Sequence, residues 1–394
     1  MNLSHSPRRV RGRMAVVTIG SAAALMVSMA GPVSANGSGH GHGHGRGFDP
    51  ASITGLSSPL GFDIGSDGTV YVAEGFAGQV RSFGKGGRER ILVPSVPGQF
   101  TSGVAATGRG DVVYTLSLPP EFQDGPPVDT TLNRVNSWGK SKELASLFDF
   151  ETENDPDKMN HYGLINASPE CVAQYNAVNA TLGGVLGPAV YDGVIESNPY
   201  AVAIDWDGSS IVADAAGNSL VRVSRSGKRV STVAVFPPIT QTITEAALVD
   251  GQGKPLPLDK CVDQPYESNP VPTDVEIGPG GHYYVSALPG FPESPGAGKV
   301  FRVNRWNGAV TEVAGGFSGA VDLAVGHDGT IYVAELFASK VSKVERGATS
   351  ASASVDVACP TAVEIGAHGN VYAADAADIC PDSPGAGAIV KVSF

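Results

Sequence analysis

A 17-residue phrase returns along the chain and sets what it can fold into. It reads SPLGFDIGSDGTVYVAE from Ser58, NPYAVAIDWDGSSIVAD from Asn198 and VPTDVEIGPGGHYYVSA from Val271. It recurs as GAVDLAVGHDGTIYVAE from Gly319 and CPTAVEIGAHGNVYAAD from Cys359. A degenerate copy, TSGVAATGRGDVVYTLS, starts at Thr101, with a register open to a shift of one residue. Each copy reads as an apolar strand, a tight turn (Asp67-Gly68, Asp207-Gly208, Asp328-Gly329) and a second strand carrying Tyr71, Tyr284, Tyr332 or Tyr372. A third strand follows in GQVRSF, SLVRVS, KVFRVN, SKVSKV and AIVKVSF. One such sheet cannot bury both faces alone, so the copies must stack. Six small sheets stacked radially make an all-β, six-bladed β-propeller.

The spacing of the copies locates everything else. They start at 58, 101, 198, 271, 319 and 359, whereas a four-stranded blade needs about 40–45 residues. The second-to-third and third-to-fourth intervals therefore carry insertions, at about 149–197 and 237–270. The first reads as an acidic loop, ETENDPDK, and then a short helix around CVAQYNAV with Ser168 near its start. No turn flanked by two β-branched runs occurs in 150–197, which argues against a seventh blade there. The second insertion reads as loop. The last copy ends without an outer strand, and Phe48–Leu56 is expected to supply it by pairing with Ile389–Ser393, removing an exposed sheet edge. Propeller topology puts both insertions, and the second-to-third-strand loops, on the face opposite the Asp-Gly turns. Binding loops on a rigid scaffold are expected on such an elaborated face.

Residues 1–35 read as a secretory signal: Arg8, Arg9, Arg11 and Arg13, an apolar run from Ala15 to Ala30, and small residues at Val33-Ser34-Ala35. Residues 36–47, NGSGHGHGHGRG, read as a Gly/His-rich linker, leaving 48–394 for the propeller. A secreted, extracellular protein without a membrane span in its mature chain is expected. Loss of the signal leaves 23 basic against 39 acidic residues, a net charge of −16. That balance, with no basic stripe, excludes a nucleic-acid partner.

Four cysteines in an exported chain suggest two disulfides. About the turn of the last copy, Cys359 faces roughly its twentieth residue and Cys380 lies two beyond. This pairs Cys359 with Cys380, a staple contributing about 3 kcal/mol. Cys171–Cys261 remains, tying the two insertions together.

The phrases resemble those of the ScyD/ScyE family, secreted six-bladed propellers related to NHL-repeat and TolB-like proteins. The similarity is densest in ESNPYAVAIDWDGSSIVADAAGNSLVRV, VPTDVEIGPGGHYYVSALPGFPESPGAGKVFRV and GFSGAVDLAVGHDGTIYVAEL, and spans most of residues 53–394. The helix near Cys171 departs from the Ala-rich acidic helix of that family. The resemblance implies fold and export, and no particular chemistry.

Two sets of carboxylates stand out. Glu74, Asp214, Glu335 and Asp375 close their phrases at the start of the elaborated-face loops. They read either as cation ligands or, more plainly, as acceptors for the N–H groups of their own tight loops. On the first strands, positions 4 and 6 of the phrase carry Asp63, Asp274, Glu276, Asp322 and Glu364 beside Gly and Ala, while positions 5 and 7 are apolar. Alternation sends the apolar set into the core and the acidic set toward the channel. Like charges meeting there need a cation, protonation or water. If a metal is held, Asp274, Glu276 and Asp322 are its expected ligands and calcium the ion that suits them. The plainer reading is a water-filled acidic channel.

No catalytic residue is marked. His282, His327 and His368 fall at the turns of the far face, only His161 lies in an insertion, and there is no Gly-x-Ser-x-Gly elbow. The residues thus favour a monomeric extracellular binding or scaffold protein for a small molecule or another protein. A calcium-assisted, lactonase-like hydrolase is the alternative.

Overall fold

The computed structural model describes residues 48–394 except 109, 119–128, 251–252 and 381–384. The signal and linker segments of the sequence reading, and parts of two second-to-third-strand loops, lie outside the described residues. Among the described residues there are seven four-stranded antiparallel sheets and two α-helices.

Six of the sheets are meanders, each beginning with one copy of the phrase. Their first strands are Pro59–Ile64, Val104–Ala106, Pro199–Ile204, Pro272–Ile277, Ala320–Val325 and Pro360–Ile365. Each first strand packs on that of the next meander, and the sixth packs back on the first. The apolar cores follow the same cycle. Tyr71 and Ala73 of the first sheet meet Val104, Val112 and Tyr114 of the second. Phe62 and Val70 on the other face of the first sheet meet Ala362, Tyr372 and Ala374 of the sixth.

The Asp-Gly turns form as their residues dictate. Gly68, Gly208 and Gly329 sit at φ +79°, +79° and +88°, a region only glycine enters freely. The preceding aspartates accept the N–H two residues on, as in Thr69 N to Asp67 Oδ1 at 2.9 Å.

The degenerate copy starts one residue earlier than Thr101. Its turn bonds run from Thr107 N to Asp111 O and Gly110 N to Thr107 O, where the first copy uses Gly65 N to Thr69 O and Gly68 N to Gly65 O. Thr107 thus matches Gly65. Tyr114 moves to the face opposite Tyr71 and packs back on the first sheet. The shift also puts Gly103 at position 4, level with Gly61. Position 4 is where neighbouring first strands come closest: a Cβ on Gly61 would lie 2.2 Å from Ser102 O, and one on Gly103 2.8 Å from Ala201 Cα.

The closing strand is shorter than expected. Thr54–Leu56 pairs with Gly387 and Ala388, and Ile389 N donates to Ile53 O at 3.0 Å. The expected pairing from Phe48 to Ser393 fails because Pro50–Ser52 forms a 3₁₀ turn. Pro50 has no N–H for a ladder, and Asp49 Oδ1 captures that of Ala51 at 3.1 Å.

Both disulfides form as paired above, Cys171–Cys261 and Cys359–Cys380. The insertions are more ordered than their sequence suggests. The first half of the acidic run ends a helix, α1 (Leu147–Asn154), with Ser146 Oγ accepting from Asp149 N. The helix expected near Cys171 is α2 (Pro169–Thr181), capped by Ser168 Oγ on Cys171 N. The second insertion is not simply loop. Its strands Ile239–Thr242 and Pro265–Ser268 join His161–Gly163 and Val190–Asp192 of the first insertion in the seventh sheet. This sheet is shared between two insertions and is not a seventh copy of the phrase. Its strands are three or four residues long, too short for periodicity to betray them. The unit has its own core of Leu164, Tyr175, Ile243, Leu258 and Tyr266 around the Cys171–Cys261 bridge. The 288–297 loop of the fourth meander docks on it: Gln241 Nε2 donates to Gly290 O at 2.8 Å and Ser268 Oγ to Phe291 O at 2.6 Å.

At the opposite end, Asp205 ties the third and fourth meanders. Its buried carboxylate accepts from Arg222 Nη1 at 2.8 Å, Arg305 Nη2 at 2.9 Å and Tyr283 Oη at 2.8 Å. Removing one member of such a group strands the others in a poorly hydrated place. Asp205→Ala is therefore expected to lower unfolding free energy by about 3–5 kcal/mol, read as a drop in the urea midpoint at constant slope. An unchanged midpoint would show that the lock is idle.

Candidate functional site

All five acidic residues of the first strands line one central cavity of about 210 Å³, which the six first strands enclose. Asp63 comes from the first meander, Asp274 and Glu276 from the fourth, Asp322 from the fifth and Glu364 from the sixth. The third meander adds Tyr200, which sequence reasoning passed over. Its signal was an aromatic ring at position 3, where the other well-matched copies carry Leu60, Thr273, Val321 and Thr361. A bulge in the pairing between positions 2 and 4 of five meanders breaks the alternation at that residue. The apolar set goes where alternation sends it, with Phe62, Val202, Val275, Leu323 and Val363 in cores between sheets.

The carboxyls also fasten the ring. Asp63 Oδ2 accepts from Ala106 N of the second meander at 2.6 Å. Asp274 Oδ2 accepts from Leu323 N of the fifth at 3.1 Å, and Asp322 Oδ1 from Val363 N of the sixth at 2.8 Å. Each bond crosses from one sheet to the next at the axis, where no ladder joins them.

Burial dominates their acidity. Desolvation pushes Asp274 up to about 7, against the smaller opposing pull of the Leu323 and Val275 N–H groups. Desolvation first, then the neighbouring carboxyls, push Glu276, Asp322 and Glu364 well above the usual range. Asp63 is raised by burial alone, and burial followed by Asp322 and Asp274 raises the Tyr200 phenol. Without a cation the cavity favours neutral carboxyls, which donate as well as accept hydrogen bonds. Among the described residues, its lining includes no histidine, lysine or arginine.

The carboxylates at the phrase ends do not converge. Each ties the end of a second strand to the entry of the first strand of its own meander. Glu74 Oε1 accepts from Ser57 N at 2.6 Å and Asp214 Oδ1 from Asn198 N at 2.7 Å. Glu335 Oε2 accepts from Ser318 N at 2.7 Å and Asp375 Oδ1 from Cys359 N at 3.1 Å. Arg81 Nη1 also reaches Glu74 at 3.0 Å, and Ser197 Oγ reaches Asp214 at 2.6 Å. These are acceptors within one meander, but their donors stand before the first strand rather than in the carboxylate's own tight loop. Asp214 alone among them also accepts from its own loop, from Gly217 N at 3.1 Å. His161 lies in the insertion sheet, its Nδ1 2.6 Å from Asp192 Oδ1, both side chains exposed. A separate acidic group, Glu151, Asp155 and Asp157, brings one oxygen from each residue within 4.8 Å of the others. It lies in the first insertion, away from the cavity-lining strands.

Apolar exposure is uneven. Met159, Ile165, Leu182, Val185, Val190, Val194 and Ile195 of the first insertion and Val249 of the second are half of the large apolar side chains that reach solvent among the described residues. The tryptophans, Trp138, Trp206 and Trp306, are exposed at turns at the opposite end.

No protein-family model and no curated protein matches the chain. Among solved structures, a putative oxidoreductase (glucose dehydrogenase) from Thermus thermophilus is similar at 14% identity and TM-score 0.51, over 86% of this chain and 98% of that one. Virginiamycin B lyase from Staphylococcus aureus aligns at 14% identity and TM-score 0.45, over 81% and 78%. The PQQ-bound aldose sugar dehydrogenase from Streptomyces coelicolor aligns at 13% and 0.44, over 88% and 98%. At such identities the likeness speaks to fold alone, and the fold is a β-propeller. No helix among the described residues is long and apolar enough to cross a membrane.

The cavity makes stability depend on pH with a definite sign. A carboxyl whose folded pKa is raised adds stability that is complete below its unfolded pKa and lost as pH rises through the folded value. For Asp274 that window runs from about 4 to about 7. The protein is expected to be more stable at pH 5 than at pH 8 in chelator. Asp274→Asn should remove up to about 3 kcal/mol of that difference, the two units from pH 5 to about 7 at about 1.4 each. Urea midpoints that do not fall between the two pH values would contradict it.

Proposed function

We propose that the chain is a secreted, monomeric, six-bladed β-propeller of the ScyD/ScyE kind, and that it acts as an extracellular binding protein through its insertion unit. The six meanders are taken as the blades. The cyclic packing of their first strands supports that count, and the resemblance of the phrases to the family supports the kind. The observation that carries the function is the placement of exposed aliphatic side chains on a unit with its own core and disulfide. Exposed apolar side chains concentrated on one unit cost solubility and are kept where they contact something. A rigid platform also loses little entropy on binding. Its ligand is a small molecule or an extracellular protein, approached by apolar contact.

A calcium-assisted, lactonase-like hydrolase is less well supported. The cavity offers neutral carboxyls and a phenol, and three of its carboxyls already hold the neighbouring blade. Catalysis there would have to break these bonds: Asp274, raised to about 7, has the acidity of a general base, but its Oδ2 is committed to Leu323 N.

The test uses extracellular polymer from the producing culture as the probe, split into protease-treated and glycosidase-treated portions. Met159 and Val194 flank the Gly193 N to Asn160 O bond and so lie close together. The double change Met159→Asp and Val194→Asp should cut co-sedimentation roughly 30-fold, the loss of about 2 kcal/mol expected for a contact at the centre of an interface, with melting unchanged. Equal retention of that variant would refute the reading. Loss on changing Trp138, Trp206 and Trp306 instead would move the surface to the opposite end. Turnover of a lactone or ester panel, abolished by Asp274→Asn, would favour the hydrolase.

A further inference from the structure

We propose that Glu151, Asp155 and Asp157 form a calcium site that fastens the first insertion to the third blade. The three come from one short stretch, the last turn of α1 and the residues that leave it. Asp155 ends the helix in the left-handed region, at φ +44°, which turns the chain so that Asp157 comes back beside Glu151. One carboxylate oxygen from each then lies within 4.8 Å of the others.

Proximity of acidic groups is common and proves little. What points to a cation is the state of their oxygens. Glu151 is 1% exposed and Asp157 2% exposed. Yet Glu151 Oε1, Asp155 Oδ1 and Asp157 Oδ1 are each buried without a hydrogen-bond partner. Buried acceptors left unpaired are rare and costly. Here they belong to three residues whose carboxylates meet in one small space. The other oxygen of Asp157 is held in place: Tyr162 Oη donates to it at 2.9 Å and Asn218 Nδ2 at 2.8 Å. The free oxygen is thus fixed by a second layer of contacts, as metal ligands usually are.

The surroundings add negative charge and no compensation. Burial first, then Asp214 of the third blade, the two aspartates of the cluster and Glu196 of the segment leading into that blade push the Glu151 carboxyl up to about 9. Burial pushes Asp157 up to about 6 despite its two donors. Among the described residues, no lysine or arginine forms an ion pair with Glu151, Asp155 or Asp157. Backbone approaches closely on two sides. A Cβ on Gly193 would meet Asp157 Oδ1 at 2.4 Å, and one on Gly217 would meet Glu151 Oε2 at 3.0 Å. The glycines leave room at the carboxylates that any larger residue would fill.

Three carboxylate oxygens without imidazole or thiolate define a hard, oxygen-only donor set. That set suits calcium, which takes further oxygens from backbone and water with flexible geometry; zinc and copper prefer nitrogen or sulfur. Because Asp157 is bonded to Tyr162 of the insertion sheet and Asn218 of the third blade, a cation there would join α1, the insertion sheet and the blade at one point. This rests on the unpaired oxygens and not on the binding role of the insertion unit.

The test is calorimetric titration of the full disulfide-bonded protein, stripped with chelator, with calcium chloride. One calcium per chain is expected, with a higher melting temperature in millimolar calcium than in chelator. Glu151→Gln or Asp155→Asn should weaken calcium at least about tenfold, since ligand charge count sets calcium affinity. The pair Asp274→Asn and Asp322→Asn should leave it unchanged. Terbium luminescence excited through tyrosine supplies a second readout that needs no melting transition. Tyr162 touches Asp157, so bound terbium should be sensitised and then displaced by calcium. No heat, no melting shift and no terbium signal in the wild type would overturn the proposal. So would a calcium response kept by Glu151→Gln and Asp155→Asn but lost in the Asp274 and Asp322 variant, which would place the ion in the central cavity.

Discussion

Everything in this molecule depends on how closely six first strands can meet around one axis. Backbone ladders hold each sheet together but none runs between sheets, so apart from single backbone bonds such as Gly315 N to Thr349 O the ring is joined by side chains. Apolar cores do this away from the axis. At the axis there is too little room, and position 4 of the phrase shows the limit: Gly61 and Gly103 where strands nearly touch, Asp274 and Asp322 where a carboxyl fits and can accept an N–H from the next sheet. The acidic ring is thus first a joint. Its carboxyls are raised because the ring buries them, and the oxygens that hold the next sheet are already committed where a hydrolase would want a base.

Much of this was legible in the chain. Repetition of the phrase gave the sheets, their turns and the alternation that sends Phe62 or Val275 into the core and Asp63 or Glu276 to the cavity. Cysteine placement gave both bridges. What escaped has physical reasons. The seventh sheet escaped because its strands are three or four residues long and come from two distant insertions. The 3₁₀ turn at Pro50–Ser52 escaped because nearby Ile53 and Leu56 read as strand. Tyr200 escaped because a bulge cancels alternation where it sits. Asp205 looked like any turn aspartate, and only the fold brings Arg222 and Arg305 to it. Asp155 and Asp157 read as loop acids because the return of the chain after α1 leaves no mark on local periodicity.

The insertions change the balance between scaffold and function. Elsewhere the strands are joined by turns and by second-to-third-strand loops, of which 288–297 docks on the insertion unit. In the insertions the chain builds a second core, a second disulfide and a cluster of carboxylates that touches the third blade through Asn218. Stability of that kind on an apolar, exposed unit is a reason to place function there. The cavity, by contrast, spends its polar groups on holding the ring together.

Hydrogen exchange on the protein with and without bound extracellular polymer separates these two places most directly. Added protection is expected in 159–195 and 239–268, with the cavity-lining strands Pro59–Ile64 and Pro272–Ile277 unchanged. Protection confined to those strands, with the insertions unaffected, would contradict the account.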